Sequence, residues 1–474
     1  MQTARQLERV FNPKSVAVVG DKKAHDYMWL RCLSNYEGRV YSVQVDPEEL
    51  VGIEKLGIKN YFSVLELPEP VDYAIVAVPR TVAPRIVADC IKRGVGGATL
   101  FTSGFAESNT DEGISLQQDI TRMAREADFN LIGPNCMGIF NPRIGLRHDI
   151  KQYYGRQGPV GFISQSGTHA IFFSLVGERN GLMISKAVSY GNGAVLDSTD
   201  YLEYLAEDEE TRVIGLYIEG VRDGRRLFKC LRETSRRKPV VVWKGGRTEA
   251  GTRATASHTG SLSSSPAIWE AAIRQCGAIS VGNLEEMVDT VKALLYLHPP
   301  LGKRVGLVAH SGGQSVVITD AFTREGLAVP MLTDRSYEQF ASFFNIIGGS
   351  YLNPLDIAWN VLSVDYLSQI LTIVGSDDNI DSLVLELCIP FLSQTWDYYP
   401  SYLDSLLDAL RDFKNAHGRC FSIALIAGQL EAETSEIEQK LTQAGLPTFP
   451  TFERTARALR NVTEYYRFHR EHSQ

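Results

Sequence analysis

The sequence predicts an α/β protein of three consecutive domains, each built around a parallel sheet. Three observations carry that reading. Short apolar runs rich in β-branched residues alternate with longer amphipathic stretches along the whole chain. The 474 residues amount to about three typical domains. The second and third parts also repeat one order of strand, turn and helix, which points to duplicated units.

In the first domain, over residues 1–148, the strands read SVAVVG (Ser15–Gly20), RVYSVQV (Arg39–Val45), VDYAIVAV (Val71–Val78), GATLFTSG (Gly97–Gly104) and FNLIGPN (Phe129–Asn135). Helical patterns such as TVAPRIVADCIKRG and Ile114–Ala127 lie between them. Asp149–Gly158 has no clear period and reads as a linker. The second domain spans 158–298 and the third 303–474, separated by the Pro/Gly hinge within His298–Arg304.

The two later domains pair motif by motif. VGFISQSG (Val160–Gly167) matches VGLVAHSGG (Val305–Gly313), and RVIGLYIEG (Arg212–Gly220) matches SLVLELCIP (Ser382–Pro390). KPVVVWKGG (Lys238–Gly246) matches RCFSIALIAG (Arg419–Gly428), and Cys276–Leu294 matches Ala444–Val462. Matched strand–turn–helix units of this kind suggest two flavodoxin-like domains.

Composition narrows the function classes. Hydrophobic residues at 44% and charged residues at 22% fit an ordinary globular protein and exclude disorder, collagen and coiled coil. A formal net charge of −8 argues against a general binder of nucleic acid or anionic membrane. No apolar run reaches the roughly 18–20 residues that span a bilayer. The opening MQTARQLERVF lacks the apolar core of a secretory signal. Seven cysteines scattered from Cys32 to Cys420 without a CxxC pair read as a reduced, cytoplasmic pattern, with no disulfide framework and no metal site.

The copies differ in one place. After KGG the second domain carries Arg247–Trp269, rich in Gly, Ser, Thr and Ala, whereas the third passes directly into the charged stretch QLEAETSEIEQKL. Such a segment cannot build a core, so it is either disordered or serves a purpose the other copy lacks. It holds one histidine, His258, in SHTGSL. Imidazole suits a nucleophile or proton carrier near neutral pH; a solvated loop histidine is the plain alternative. Two further features favour chemistry. The turn Ser164, Gln165, Ser166, Gly167 offers helix N-terminal N–H groups suited to phosphate. Glu219 sits at the C-terminal end of a strand, where α/β sheets place ligand-binding residues. A carboxylate there could fix one imidazole nitrogen and leave the other free to attack phosphorus, or be an ordinary surface charge.

The motifs SVAVVG, AVP, SGFAE, GPNCMGIFNP, SQSG, SYGN, YIEGVRDGRR, KGGRTEAGTRATASHTGSL and NPLDI, in this order, resemble the α subunit of NDP-forming (ADP-forming) acyl-CoA synthetases, relatives of the succinyl-CoA synthetase α subunit. The resemblance implies a Rossmann-like CoA-binding domain ahead of the two flavodoxin-like domains. It implies an acid–thiol ligase that interconverts acyl-CoA, phosphate and ADP with acid, CoA and ATP, through an acyl phosphate and a phosphohistidine. His258 is then the phosphorylated residue and Glu219 its orienting partner, with Ser164–Gly167 holding phosphate. Asn135 and Cys136 fall near the thiol end of CoA, and Gly20, Lys22, Val78, Pro79, Ser103 and Gly104 belong to the CoA cleft. No Walker A motif is present, so the resemblance assigns ATP/ADP and Mg2+ to an ATP-grasp β-type partner. It implies a hetero-oligomer, or a homodimer through this chain, acting on a small carboxylic acid.

The first domain departs from the pattern, since after Gly20 no glycine occurs before Gly38. Asp21 would set a negative charge near the CoA phosphates, offset by Lys22 and Lys23. That departure favours an alternative reading, a CoA- or acyl-CoA-binding regulatory homologue without turnover. An NAD-dependent oxidoreductase is a third reading, disfavoured because GxGxxG is missing. His169 reads as a helix-start histidine, His310 as a turn cap, and the third domain as structural or subunit-contacting. The basic run Asp223–Lys238 reads as a solvated helix face, with attraction of the CoA 3′-phosphate as its rival.

Overall fold

The computed structural model describes residues 4–259, 265–358, 360, 363–398 and 401–472, without the side chains of 4–6, 256–259 and 394–398. The chain forms two compact units, Met1–Glu178 with Leu182–Leu284, and Arg179–Gly181 with Glu285–Gln474.

The first unit holds two sheets. In the first, β1 (Ser15–Val19), β2 (Arg39–Val43), β3 (Lys59–Tyr61), β4 (Tyr73–Val76), β5 (Gly97–Leu100) and β6 (Asn130–Ile132) run parallel in the order β3-β2-β1-β4-β5-β6. This is the order of a doubly wound Rossmann sheet, whose switch point lies between β1 and β4. Every residue of β1, β4 and β5 is buried, as expected for strands covered by helices on both faces.

The second sheet contains β7 (Gly138–Phe140), β8 (Val160–Ser164), β9 (Ile184–Ser189), β10 (Val213–Ile218), β11 (Val240–Lys244) and β12 (Ile279–Val281), ordered β12-β11-β10-β8-β9-β7. Strands β8 to β12 follow the flavodoxin-like 2-1-3-4-5 order. Strand β7 joins antiparallel to β9, so the segment after the GPNC loop leaves the first domain and edges the second sheet. The stretch read as a linker is pinned rather than free: Gln152 Nε2 donates to Ser174 Oγ at 2.7 Å, and the Ile184 N–H donates to the Tyr153 hydroxyl at 2.5 Å.

The second unit contains β13 (Val305–Ala309), β14 (Leu355–Asp356), β15 (Ser382–Cys388), β16 (Cys420–Ile426) and β17 (Thr448–Phe449), ordered β14-β13-β15-β16-β17. The order is again 2-1-3-4-5, which gives the repeat seen in the sequence a topological basis. The short β3, β7 and β14 and the six-residue β9 are not among the strands named from the sequence. Three of them lie at sheet edges, where fewer neighbours enforce an apolar run.

Candidate active site

The site is built at the C-terminal ends of β8 and β10, which pair directly, with Ser164 opposite Tyr217. After β8 the chain turns through Gln165 and Ser166 into the helix Gly167–Arg179. The Ser164 hydroxyl donates to the Ser166 carbonyl at 2.6 Å, and Ser166 Oγ accepts the His169 N–H at 3.3 Å. These bonds fix the turn, and Ser166 Oγ takes one of the N–H groups of the first helical turn. Gly167 lies close under Met137: a Cβ there would stand 2.8 Å from Met137 Cγ and that side chain would have to shift.

Gln165 locks the turn to β10. Its side-chain oxygen accepts the backbone N–H of Glu219 at 2.7 Å and of Gly220 at 3.0 Å. Glu219 is 7% exposed, and its Oε1 accepts the Tyr217 hydroxyl at 3.0 Å. Burial, then the nearby Glu219 charge, pushes the Tyr217 phenol above its ordinary pKa, so Tyr217 remains a donor. His169 packs against Tyr217 and Trp243, each ring centroid 4.5 Å away. Burial lowers its pKa and the Glu219 charge offsets part of that. Its Nδ1 is buried without a partner among the described residues, so His169 is not the satisfied helix-start residue the sequence suggested.

The segment after β11 is not irregular as far as it is described. Glu249–Thr259 is a helix, and it lies against the short 3-10 turn Ala106–Ser108 of the SGFAE motif in the first domain. His258 is in its last turn; its side chain, and residues 260–264 of the SHTGSL motif and beyond, lie outside the described residues. The glycines before the helix are tightly enclosed: Gly246 has φ +71°, and a Cβ there would come 2.6 Å from Thr255 Oγ1.

The first domain gathers its residues at the switch point. Gly20 has φ +88° at the end of β1, and a Cβ there would stand 2.6 Å from Val78 Cγ1. The Val78 carbonyl accepts the Thr102 hydroxyl at 2.6 Å, and Arg80 Nη1 donates to the Gly104 carbonyl at 2.8 Å. Gly20, Val78, Pro79, Ser103 and Gly104 thus follow the C-terminal ends of the neighbouring strands β1, β4 and β5, and glycine at position 20 lets Val78 pack directly on the backbone. Lys22 is exposed beside it. Asp21 faces inward instead: its carboxylate accepts the Leu30 N–H at 2.9 Å and the Lys22 N–H at 3.1 Å. Burial raises its pKa against those bonds.

The GPNC loop joins the two domains of this unit. Asn135 has φ +59°, and the Asn192 and Ala194 N–H groups donate to the Pro134 and Gly133 carbonyls at 3.0 and 2.9 Å. Cys136 is buried, its thiol aimed at the Leu100 carbonyl at 3.7 Å, and burial pushes its pKa up to about 12. The loop therefore offers backbone and Asn135 to a ligand, with the Cys136 thiol turned into the core.

Sequence reasoning passed over Tyr217, Trp243, Met137 and Lys244. Tyr217 had a usable signal: two residues before Glu219 on a strand, it shares a face with that carboxylate. In the third domain the corresponding turn is built differently. The His310 N–H and Gln314 Nε2 donate to the Glu386 carboxylate at 2.8 and 3.0 Å, and the His310 ring stacks on Phe391. Ser311, not His310, caps the following helix. Asn353 of NPLDI braces Leu307, Val305 and Pro330 through backbone bonds, a structural role.

Comparison with known proteins agrees with this arrangement. Residues 14–142 match the CoA binding domain family and residues 157–294 the succinyl-CoA ligase like flavodoxin domain family. The chain is 33% identical over 97% of its length to acetate–CoA ligase [ADP-forming] I of Archaeoglobus fulgidus, of which it spans 64%. It is also 33% identical over 95% of its length to the α subunit of acetate–CoA ligase [ADP-forming] II of Pyrococcus furiosus, of which it spans 96%. Its structure superposes with a TM-score of 0.83 and 30% identity on dinucleotide forming acetyl-coenzyme A synthetase 1 of Ca. Korarchaeum cryptofilum in complex with phosphate and ADP, covering 98% of this chain and 97% of that one.

Proposed function

The chain belongs to the ADP-forming acetate–CoA ligase family, and from that premise we propose that it is the α-type part of an acyl-CoA synthetase working through a phosphohistidine at His258. The observation that carries the proposal is the hold on Glu219. Its backbone is fixed by Gln165 and its carboxylate by Tyr217, next to the N-terminus of Gly167–Arg179.

In the direction of ATP formation, phosphate attacks the acyl-CoA thioester, giving acyl phosphate and free CoA. The imidazole of His258 then attacks phosphorus and releases the carboxylic acid. Glu219 accepts the other imidazole N–H and so fixes the tautomer that attacks. The turn Ser164–Gly167 supplies backbone N–H groups for the transferring phosphoryl oxygens, and such transfers depend chiefly on positioning and charge neutralisation. The cleft at Gly20, Lys22, Val78, Pro79, Ser103 and Gly104 takes CoA, whose thiol end reaches the backbone of Asn135 and Cys136. The phosphoryl group passes to ADP with Mg2+ on an ATP-grasp partner chain. A three-domain division at 1–148, 158–298 and 303–474 fits this distribution of roles. Among the described residues no helix is long and apolar enough to cross a membrane. The seven buried cysteines, all unpaired, support a reducing, cytoplasmic setting.

The test is phosphorylation with labelled ATP, Mg2+ and an ATP-grasp partner. An acid-labile, base-stable adduct is expected on the wild type and absent from His258→Ala. Glu219→Gln should form it about 100-fold more slowly, a loss of about 2.7 kcal/mol of transition-state stabilisation. An adduct that persists in His258→Ala would overturn the proposal.

A further inference from the structure

Between the helices Gly224–Ser235 and Pro266–Gln275 lies a cavity of about 310 Å3. Strand alternation puts it on the opposite face of the second sheet from the site above. Trp243 points toward His169 and Tyr217, while Lys244, the next residue of β11, lines the cavity. Leu227, Phe228, Leu231 and Ile273 form much of its wall.

Two buried donors are set in this apolar wall. Lys244 is 5% exposed. Its Nζ donates to the Glu219 carbonyl at 2.7 Å and to the Gly245 carbonyl; burial lowers its pKa, and the nearby Glu219 charge offsets part of that. An ammonium has three N–H donors, so one is left, and a buried cation carries a desolvation cost. Trp269 also lines the cavity, and its indole N–H is buried with no acceptor among the described residues. Lys244 Nζ stands 5.8 Å from the Trp269 ring centroid.

We propose that this cavity is a binding site for a small amphipathic carboxylic acid, with the carboxylate on Lys244 Nζ and Trp269 Nε1 and the apolar body among Leu227, Phe228, Leu231 and Ile273. The size is appropriate, since a cavity of about 150 Å3 already holds benzene. The remaining volume takes a short chain carrying the acid group. The ammonium that meets the acid also holds the Glu219 carbonyl, so one side chain connects the two faces.

The test is a 19F NMR titration of the full chain alone with 4-fluorophenylacetate, using 2-(4-fluorophenyl)ethanol as the neutral analogue. The acid should bind saturably with one-to-one stoichiometry, at least tenfold more tightly than the alcohol. Lys244→Met should remove that preference and leave alcohol binding unchanged. Ala272→Phe fills the cavity from its half-exposed rim and should abolish both. Saturating CoA with phosphate should not displace the acid. If Lys244→Met does not fold, Lys244→Gln and Trp269→Phe carry the same comparison, each lowering affinity for the acid alone. The proposal is overturned by absence of saturable binding to the wild type, by acid preference that survives loss of the Lys244 charge, by binding retained in folded Ala272→Phe, or by displacement with CoA and phosphate. With no nucleotide or partner chain in the tube, the outcome is independent of phosphorylation at His258.

Discussion

The side-chain oxygen of Gln165 accepts two consecutive backbone N–H groups, those of Glu219 and Gly220, at 2.7 and 3.0 Å. One amide oxygen thus ties the turn after β8 to the end of β10. The phosphate-holding turn and the orienting carboxylate share a single reference point, so neither can shift without the other.

Replacing Gln165 with Leu removes that acceptor from a buried position. The expected loss is about 1–3 kcal/mol of stability, read by chemical denaturation, together with slower adduct formation at His258. Gln165→Glu keeps an oxygen at the same place and should restore most of the stability.

Glycine identity separates two otherwise similar turns. Gly191 has φ +52°, and an added Cβ would run into the Asn135 and Pro134 carbonyl oxygens, whereas Gly57 has φ +72° with open space around it. Gly57→Ala should cost about 1 kcal/mol, the penalty for the left-handed backbone alone. Gly191→Ala should cost more and weaken CoA binding, because it pushes the GPNC loop away. Thermal unfolding and calorimetric titration with CoA measure the two effects.

Asp21 is a structural anchor, because its carboxylate is spent on the Leu30 and Lys22 N–H groups. Asp21→Gly restores a glycine after β1 but removes that anchor. The expected result is a loss of about 1–3 kcal/mol in stability with no gain in CoA affinity. A clear rise in CoA affinity would show that the carboxylate repels the ligand phosphates.

In the third domain two buried groups bias stability in opposite directions. Burial raises Glu386 to about 7 from 4.5, with Asp356 adding to the rise. The fold therefore keeps a proton that the unfolded chain has lost between those values, and stability falls as pH rises from 4.5 to 7. Burial lowers His310 to about 4 from 6.5. There the unfolded chain holds the extra proton, and stability rises with pH from 4 to 6.5. Relative to the wild type, Glu386→Gln should make the stability slope between pH 4.5 and 6.5 more positive by up to about 1.4 kcal/mol per pH unit, and His310→Gln should make it more negative by as much. Hydrogen exchange in β13 and β15, corrected for its intrinsic pH dependence, reports both.

The strands that carry the site were legible because parallel strands buried on both faces must be continuously apolar. SVAVVG, VGFISQSG and RVIGLYIEG are such runs, and each ends at a residue of the site. The duplication was legible for the same reason, and the two sheets share the 2-1-3-4-5 order. The helix Glu249–Thr259 was not: Gly, Ser and Thr lower helix propensity, and its packing on Ala106–Ser108 is a contact between segments about 150 residues apart. Asp21 misled for a related reason, since a charge beside a glycine turn reads as exposed until its Leu30 partner is seen.

The sequence by itself determined the buried strands that carry the site, the duplication, and the residue types able to carry a phosphoryl group, because periodicity and chemistry are local properties of the chain. Only the tertiary structure decided which way each side chain turned. Cys136 and Asp21 went inward, Tyr217 went to Glu219, and Lys244 went to the opposite face of the sheet from Trp243. Those choices depend on which distant backbone groups arrive to be satisfied, and a linear pattern does not encode them.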